Sequence, residues 1–164
     1  MTTNAPAGSA HTPLSAHRLR RRSEFLLAAK SGLRASGRLF TIQMVDQEQM
    51  VRPASMEPLA VDAPPRFGLT VTKKVANAVG RNRIRRRLRE ALRAGGALTD
   101  FGGPGGLGAR AGQDYVFIAR REALNAPFAD ILSQMAEGFA RLQDRKAARG
   151  RRNQTERTGV PRDE

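Results

Sequence analysis

Basic side chains are concentrated in one short stretch of this chain, where their type and spacing suit the binding of phosphate groups. Nine Lys or Arg residues and a single acid, Glu90, lie between Lys73 and Arg93. Guanidinium groups can bind two phosphate oxygens at once. Like charges four residues apart on a helix, such as Arg81 and Arg85, destabilise it by roughly 0.2–0.5 kcal/mol per pair. Folding alone therefore does not account for the stretch, whereas a polyanionic partner does.

No arrangement of side chains for bond-making chemistry accompanies this basic stretch. The two histidines, His11 and His17, lie in or beside an N-terminal segment without apolar period, where nothing would orient an imidazole. None of the serines lies in a Gly-x-Ser-x-Gly turn, and the Asp residues are scattered along the chain. The sequence therefore predicts no catalytic residue and no metal site in the protein, and it favours a binding function.

Composition favours nucleic acid over other polyanions. The 164 residues carry a formal net charge of +14, which makes nucleic acid the leading partner and an acidic membrane surface a poorer second. Only 4 of the 29 basic residues are Lys; phosphate recognition and a GC-rich genome would both produce this bias. The chain has no cysteine and no run of about 18 apolar residues. We therefore expect a cytoplasmic protein that does not enter a membrane.

The basic stretch must be held by a folded region between two irregular ends. Residues 1–16 are small, Pro- and Ser-containing and without apolar period, and residues 144–164 also lack such a period. Both ends are predicted to be disordered, the second as a basic tail. The predicted domain covers residues 17–143. It opens with a short helix that Ser23 caps and Gly32 ends.

Apolar periodicity places the basic residues on a helix that follows strands. Residues 33–46 and 66–72 alternate as extended chain, and the Pro-rich residues 47–65 connect them. The basic helix opens near Asn77. Its apolar residues recur at helical spacing and should face a sheet; they are Ile84, Leu88, Ala91 and Leu92.

The remaining elements complete a small α+β domain. The Gly-rich residues 94–112 are predicted to be a flexible loop, and residues 114–120 a central strand. Asn125 is predicted to cap a last helix with a core-facing apolar stripe. The sequence therefore predicts a two-layer domain with helices packed on a small sheet, in the order α-β-β-β-α-β-α.

The segment from Arg66 to Leu92, RFGLTVTKKVANAVGRNRIRRRLREAL, resembles the signature of the protein subunit of bacterial ribonuclease P. Residues 19–40 resemble the first helix and strand of that family, and residues 114–120 resemble a later strand, so that the resemblance covers residues 17–143. It implies a fold shared with some ribosomal proteins, in which the basic helix lies in a left-handed βαβ crossover. Because about 98% of such connections are right-handed, pattern alone would not predict this crossover.

The resemblance also implies a function. In that family a large RNA subunit is the catalyst and holds most of the magnesium, and the protein is a non-catalytic subunit that binds this RNA and the 5′ leader of precursor tRNA. The ribonucleoprotein removes the leader and leaves the mature 5′ end of the tRNA. An alternative from another class is a basic ribosomal-type or general RNA-binding protein without an enzymatic context.

The resemblance implies two sets of binding residues. The leader of precursor tRNA would meet Phe25, Arg38 and Phe40, although Phe25 and Phe40 could equally be ordinary core residues. Arg87 and Arg93 are expected to be a solvated part of the basic helix. The family's usual aromatic residues are replaced by Ala29 in the first helix and Gln43 in the strand, which predicts a poorer stacking surface. The residues expected to contact or lie against the catalytic RNA are Lys73, Lys74, Asn77, Arg81, Asn82, Arg83, Arg85, Arg86 and Arg89.

Overall fold

A computed structural model describes residues 18–49, 63–95 and 108–159. Its helices and strands follow the predicted order, and short 3₁₀ turns at Gln47–Gln49 and Arg121–Leu124 lie between them. The α+β class is confirmed. The elements are α1 (Arg22–Ser31), β1 (Leu33–Ser36), β2 (Phe40–Asp46), β3 (Arg66–Thr70), α2 (Ala78–Ala94), β4 (Gln113–Ala119) and α3 (Phe128–Thr158).

The four strands form one sheet in the order β1-β2-β4-β3. β1 and β2 are an antiparallel pair joined by a turn in which the Gly37 N–H donates to the Phe40 carbonyl at 3.0 Å. This turn divides the stretch predicted as extended over residues 33–46 into two strands. β2 is antiparallel to β4, whereas β3 is parallel to it. β3, α2 and β4 therefore form the βαβ unit that the resemblance implies, and its left-handed sense stays a prediction.

The main core lies between one face of the sheet and the helices α2 and α3. Phe117 of β4 meets the ring of Phe139 of α3 edge-on, with the centroids 5.9 Å apart. Ile84 and Leu88 of α2 are fully buried in the same core. The apolar stripe predicted for the basic helix is thus confirmed, and this stripe fixes which side of α2 faces away from the sheet.

α1 packs against the opposite face of the sheet, so the helices lie on both faces rather than on one. A smaller cluster joins Ala28 of α1 with Val45 of β2 and Val116 of β4. Phe25 lies over Gly68 of β3, where a Cβ atom would come within 2.5 Å of the Phe25 ring. Gly68 therefore provides the space that Phe25 occupies.

Two helix starts differ from the predictions. α1 begins at Arg22 with Arg21 as its N-cap, not Ser23, because the Glu24 carboxylate accepts the backbone N–H groups of Arg20 and Arg21 at 3.1 and 3.0 Å. α3 begins after Pro127 rather than Asn125, since the 3₁₀ turn and the proline intervene.

The end of α3 also differs from the prediction. The helix continues through residues 144–158, which were predicted to be disordered, and stops at Gly159, which has a left-handed φ of 54°. Residues 144–158 contain no proline and many residues of good helix propensity, so the absence of an apolar period was not a stop signal. Residues 1–16, His17 and most of the predicted loops at 47–65 and 94–112 lie outside the described residues.

Candidate nucleic-acid interface

The basic face of α2 is positioned by the end of β3 and by a well-formed helix start. A turn over residues 73–75 follows the strand and leaves Lys73 and Lys74 exposed. Asn77 then caps α2, and its Oδ1 accepts the Gly80 N–H at 2.8 Å. Because the buried stripe holds the opposite side of α2 against the sheet, the basic side chains face outward.

The centre of this outward face carries cations that have no partner among the described residues. Arg83 and Arg86 are exposed, and among the described residues neither forms an ion pair or a side-chain hydrogen bond. Arg85 donates to the Asn82 Oδ1 at 3.2 Å, so these two side chains are held beside each other. Unpaired guanidinium groups next to an amide can bind phosphate oxygens and 2′-hydroxyl groups of RNA.

Two other arginines of this helix stabilise the fold itself. Arg81 donates to the Ala76 carbonyl at 3.0 Å. Arg87 donates to the carbonyls of Ala123 and Leu124 at 2.8 and 3.0 Å and also to that of Ala126. Burial, followed by the nearby charge of Arg83, lowers the pKa of Arg87. The prediction that Arg87 is a solvated residue is therefore wrong, because its guanidinium fixes the turn that leads into α3.

Arg93 lies at the exposed end of α2, as predicted, and pairs with Glu90. The Arg93 Nη1 and Glu90 Oε1 atoms are 2.8 Å apart, and more than half of each side chain is exposed. This local pair reduces the charge of the α2 face at its C-terminal end. The unpaired charge is consequently concentrated nearer the start of the helix.

A small pocket joins the flank of α2 to the start of α1. Its volume is about 60 Å³, and three arginines surround an apolar floor that includes Phe25. Burial, and then the charges of Arg18 and Arg85, lower the pKa of Arg89. The pocket is lined by Arg18, Phe25, Phe67, Leu69, Arg85, Arg89 and Leu92.

The charge of this pocket suits a phosphate group. Its lining has no acidic residue, so a phosphate would relieve the repulsion among Arg18, Arg85 and Arg89. The half-buried ring of Phe25 offers an aromatic surface for a base. Sequence reasoning missed Arg18, because its position depends on a bridge to Phe67 and on the Leu19 N–H, which donates to the Phe67 carbonyl at 2.9 Å.

The structure separates the three residues predicted to meet the tRNA leader: Arg38 and Phe40 line one groove beside α3, whereas Phe25 lies at α2. Phe40 is 2% exposed and packs edge-on against Phe117 at 5.5 Å, so it belongs to the core and cannot stack on a base. Its assignment to the leader site is therefore corrected. Arg38 is exposed beside α3, where its guanidinium lies 3.5 Å from the Asp130 carboxylate. Phe25 alone of the three lines the pocket at α2.

The two positions where this chain lacks the family's usual aromatic residue are Ala29 in α1 and Gln43 in β2. Ala29 is exposed on α1, whereas Gln43 of β2 is buried. Neither residue lines the pocket at α2. The aromatic residues of that pocket are Phe25 and Phe67, and Phe67 is buried, so the aromatic surface open to a ligand is that of Phe25.

Comparisons with known proteins agree on one family. The family model described as Ribonuclease P matches residues 15–143. The Ribonuclease P protein component of Bartonella quintana is 43% identical over 119 residues, which are 73% of this chain and 77% of that protein. The Ribonuclease P protein component of Brucella suis is 35% identical over 142 residues, 87% of this chain and 91% of that protein.

Solved structures show the same fold. The RNase P protein of Staphylococcus aureus matches with a TM-score of 0.55 at 22% identity, over 76% of this chain and 93% of that one. The RNase P protein from Thermotoga maritima matches with a TM-score of 0.52 at 24% identity, over 73% of this chain and 92% of that one.

Proposed function

This chain belongs to the ribonuclease P protein family, and from that membership we propose how its surfaces serve the enzyme. It is the protein component of the ribonucleoprotein that forms the mature 5′ end of tRNA. We assign it two RNA contacts: the catalytic RNA on the outward face of α2, and the leader of precursor tRNA at the Phe25 pocket.

The first contact rests on one observation: Arg83 and Arg86 are exposed, and neither has an ion-pair partner among the described residues. A buried stripe on the same helix holds them in place, so little conformational freedom of the backbone is lost on binding. Lys73 and Lys74 extend the surface at the preceding turn, and Asn82 and Arg85 extend it along the helix. Asn77 and Arg81 already bond within the protein, and we propose that they support the surface from its edge.

The second contact rests on Phe25 and the arginines around it. A leader is single-stranded, so its bases can stack on an aromatic ring while its phosphates meet cations. Arg85 and Arg89 lie on the flank of α2 and also line this pocket. The two RNA contacts are therefore adjacent, which would place the leader next to the catalytic RNA. Arg38 lies apart from both.

The chemical step belongs, in this proposal, to the RNA subunit and its magnesium ions. RNA phosphates are hard oxygen ligands of the kind that Mg²⁺ prefers. Within residues 18–49, 63–95 and 108–159, no three His, Cys, Asp or Glu side chains are grouped as a metal site. The arginines of α2 would offset the repulsion between two RNA molecules and so lower the magnesium concentration needed for their assembly.

We propose that the protein works in the cytoplasm. The chain has no cysteine, so it forms no disulfide that would require an oxidising compartment. None of the helices in the described ranges has the length and apolar character to cross a membrane.

Reconstitution with the catalytic RNA tests the proposal. The protein alone should cleave nothing, and its addition to the RNA should lower the magnesium concentration at which precursor tRNA is cleaved. Cleavage by protein freed of all RNA would contradict the division of labour. RNA that co-purifies with the protein from cells should be enriched in the catalytic RNA and precursor tRNA, and ribosomal or unselective RNA would contradict the partners.

A further inference from the structure

The last part of α3 lies at the end of the sheet, where Arg149, Gly150 and Asn153 line a groove with Leu33 of β1 and residues 44–46 of β2. Leu142 is the last core residue of the helix, and the Lys146 Nζ lies 2.5 Å from the Asp46 carboxylate at the end of β2. Residues 147–158 are all exposed. At 1.5 Å per residue they extend about 18 Å beyond that ion pair. We call residues 145–158 the C-terminal arm.

The arm is strongly basic. It contains six cations and one acid, Glu156. Within the described part of the chain, none of its arginines forms an ion pair or donates a side-chain hydrogen bond. Arg145, Arg149 and Arg152 follow the spacing i, i+4, i+7 and lie on one side of the helix, so they repel one another.

The rest of the protein does little to stabilise the helical conformation of the arm. Every residue of the arm beyond Lys146 is exposed, and Gly150 in its interior costs roughly 1 kcal/mol relative to alanine. A polyanion along the arm would remove the repulsion and stabilise the helix.

The position of the arm separates it from the start of the α2 surface. α3 runs beside β2 in the same direction, since its Gln134 bonds to Leu39 before β2 and its Lys146 pairs with Asp46 at the end of β2. The arm leaves the sheet where β4 begins, because Asp46 is paired with Gln113. Lys73 and Lys74 follow β3 at the opposite end, where Thr70 is paired with Ile118 near the end of β4.

We infer that the C-terminal arm binds an RNA phosphate backbone as a second contact, distinct from the α2 surface and outside the segment matched by the family model. The inference rests on the proposed RNA partner. The sign and density of charge select RNA phosphates, and the separation of the two surfaces allows the arm to meet a different part of the same ribonucleoprotein. Arginine-rich segments commonly become ordered when they bind RNA.

The test compares two triple variants of the full chain. Arg149→Ala/Arg151→Ala/Arg152→Ala removes charge from the arm, and Asn153→Ala/Gln154→Ala/Thr155→Ala is the matched control. Affinity for the catalytic RNA is measured across a salt series. The arginine variant should flatten the slope of log affinity against log salt by about 2–3 units, and the control should leave it unchanged. Thermal unfolding of both should match the wild type, because every substituted residue is exposed.

A third variant tests the helical form of the bound arm. Gly150 has open space around its Cβ position, so Gly150→Ala should favour the helix and tighten RNA binding by up to about fivefold. Weaker binding by this variant would show that the arm does not bind as a helix.

The outcomes separate this inference from the proposed function. If the arginine variant keeps the wild-type slope while Arg83→Ala/Arg86→Ala lowers it, the arm is not a contact and the α2 surface stands. A loss of affinity without a change in slope would also overturn the inference, since no phosphate contact would have been removed. Failure of the wild-type protein to bind the catalytic RNA would overturn both.

Discussion

Arg66 and Asp114 form a bidentate ion pair between the neighbouring parallel strands β3 and β4. The Nε–Oδ1 and Nη2–Oδ2 distances are 3.0 and 2.6 Å, and the Asp114 side chain is fully buried. The third guanidinium nitrogen of Arg66 donates to Glu24 of α1 at 2.9 Å. One side chain thus joins the sheet to the helix that carries Phe25.

Replacing Arg66 should destabilise the fold strongly. Burial raises the pKa of the Asp114 carboxyl, and the bonds from Arg66 and Gln47 offset part of this effect. Arg66→Ala would leave that carboxylate without its cation, at a cost of about 3–5 kcal/mol in the free energy of unfolding. Arg66→Lys should retain only part of the stability. The ammonium keeps the positive charge, but it cannot form the same two parallel hydrogen bonds.

Chemical denaturation measures both Arg66 variants. Arg93→Ala removes an arginine whose ion pair is exposed and should cost about 0–1 kcal/mol. Equal losses for Arg66→Ala and Arg93→Ala would contradict the importance of burial.

Arg83 and Arg86 should govern the salt dependence of binding to the catalytic RNA. If each meets one phosphate, the double change to Ala should flatten the slope of log affinity against log salt by about 1–2 units. Arg93→Ala/Arg141→Ala is the charge-matched control, because both arginines pair with helix acids, Glu90 and Glu137. A slope that responds equally to both double variants would show only a general charge effect.

Phe25 and Phe40 should have opposite effects on tRNA selection and on stability. Phe25→Ala should weaken the discrimination of precursor over mature tRNA, since stacking contributes about 1–3 kcal/mol per base. Phe40→Leu disturbs the core and should lower the free energy of unfolding by about 0.5–3 kcal/mol. The affinities of the reconstituted enzyme and the thermal unfolding of the protein separate the two. If Phe25→Ala lowers stability alone, Phe25 is a core residue.

Arg87 should affect stability rather than RNA binding. Arg87→Ala would leave the carbonyls of Ala123, Leu124 and Ala126 without their donor, at a cost of roughly 1–3 kcal/mol. Arg87→Lys keeps the charge but cannot reproduce the planar fork, so it should also destabilise the protein. The salt slope of RNA binding should change for neither variant, and a change confined to Arg87→Ala would indicate a phosphate contact.

Tyr115 should couple alkaline unfolding to its own ionisation. Burial raises its pKa from 10.0 to about 12, although hydrogen bonds from Arg110 and Gln143 oppose the rise. Because the pKa is higher in the folded state, the stability is fully present below pH 10 and is lost as the pH rises toward 12.

The chain has one tyrosine and no tryptophan, so the near-ultraviolet absorbance of tyrosinate reports Tyr115 alone. It should rise together with the loss of helical circular dichroism. Tyr115→Phe is the control and should lack this component of the alkaline loss. Tyrosinate that forms near pH 10 in folded protein would contradict the burial argument.

Local pattern was sufficient for the order of elements and for the orientation of α2. Ile84 and Leu88 recur at helical spacing, and a helix with such a stripe has one possible inward side. The same logic failed for α3 beyond Asp144, since a helix can continue without an apolar stripe until Gly159 ends it. Helix starts were missed where Glu24 and Pro127 acted in place of the expected caps.

The sequence by itself identified the family and predicted that a basic helix binds RNA, because charge, helical period and the family signature all lie within residues 66–92. Tertiary structure alone decided the roles of individual side chains. It directed Phe40 into the core, Arg87 to the carbonyls of a distant turn, and Arg18 to the pocket of Phe25. Each of these contacts joins residues far apart in the chain, and local spacing carries no information about which face of the sheet, or which neighbour, a side chain will meet.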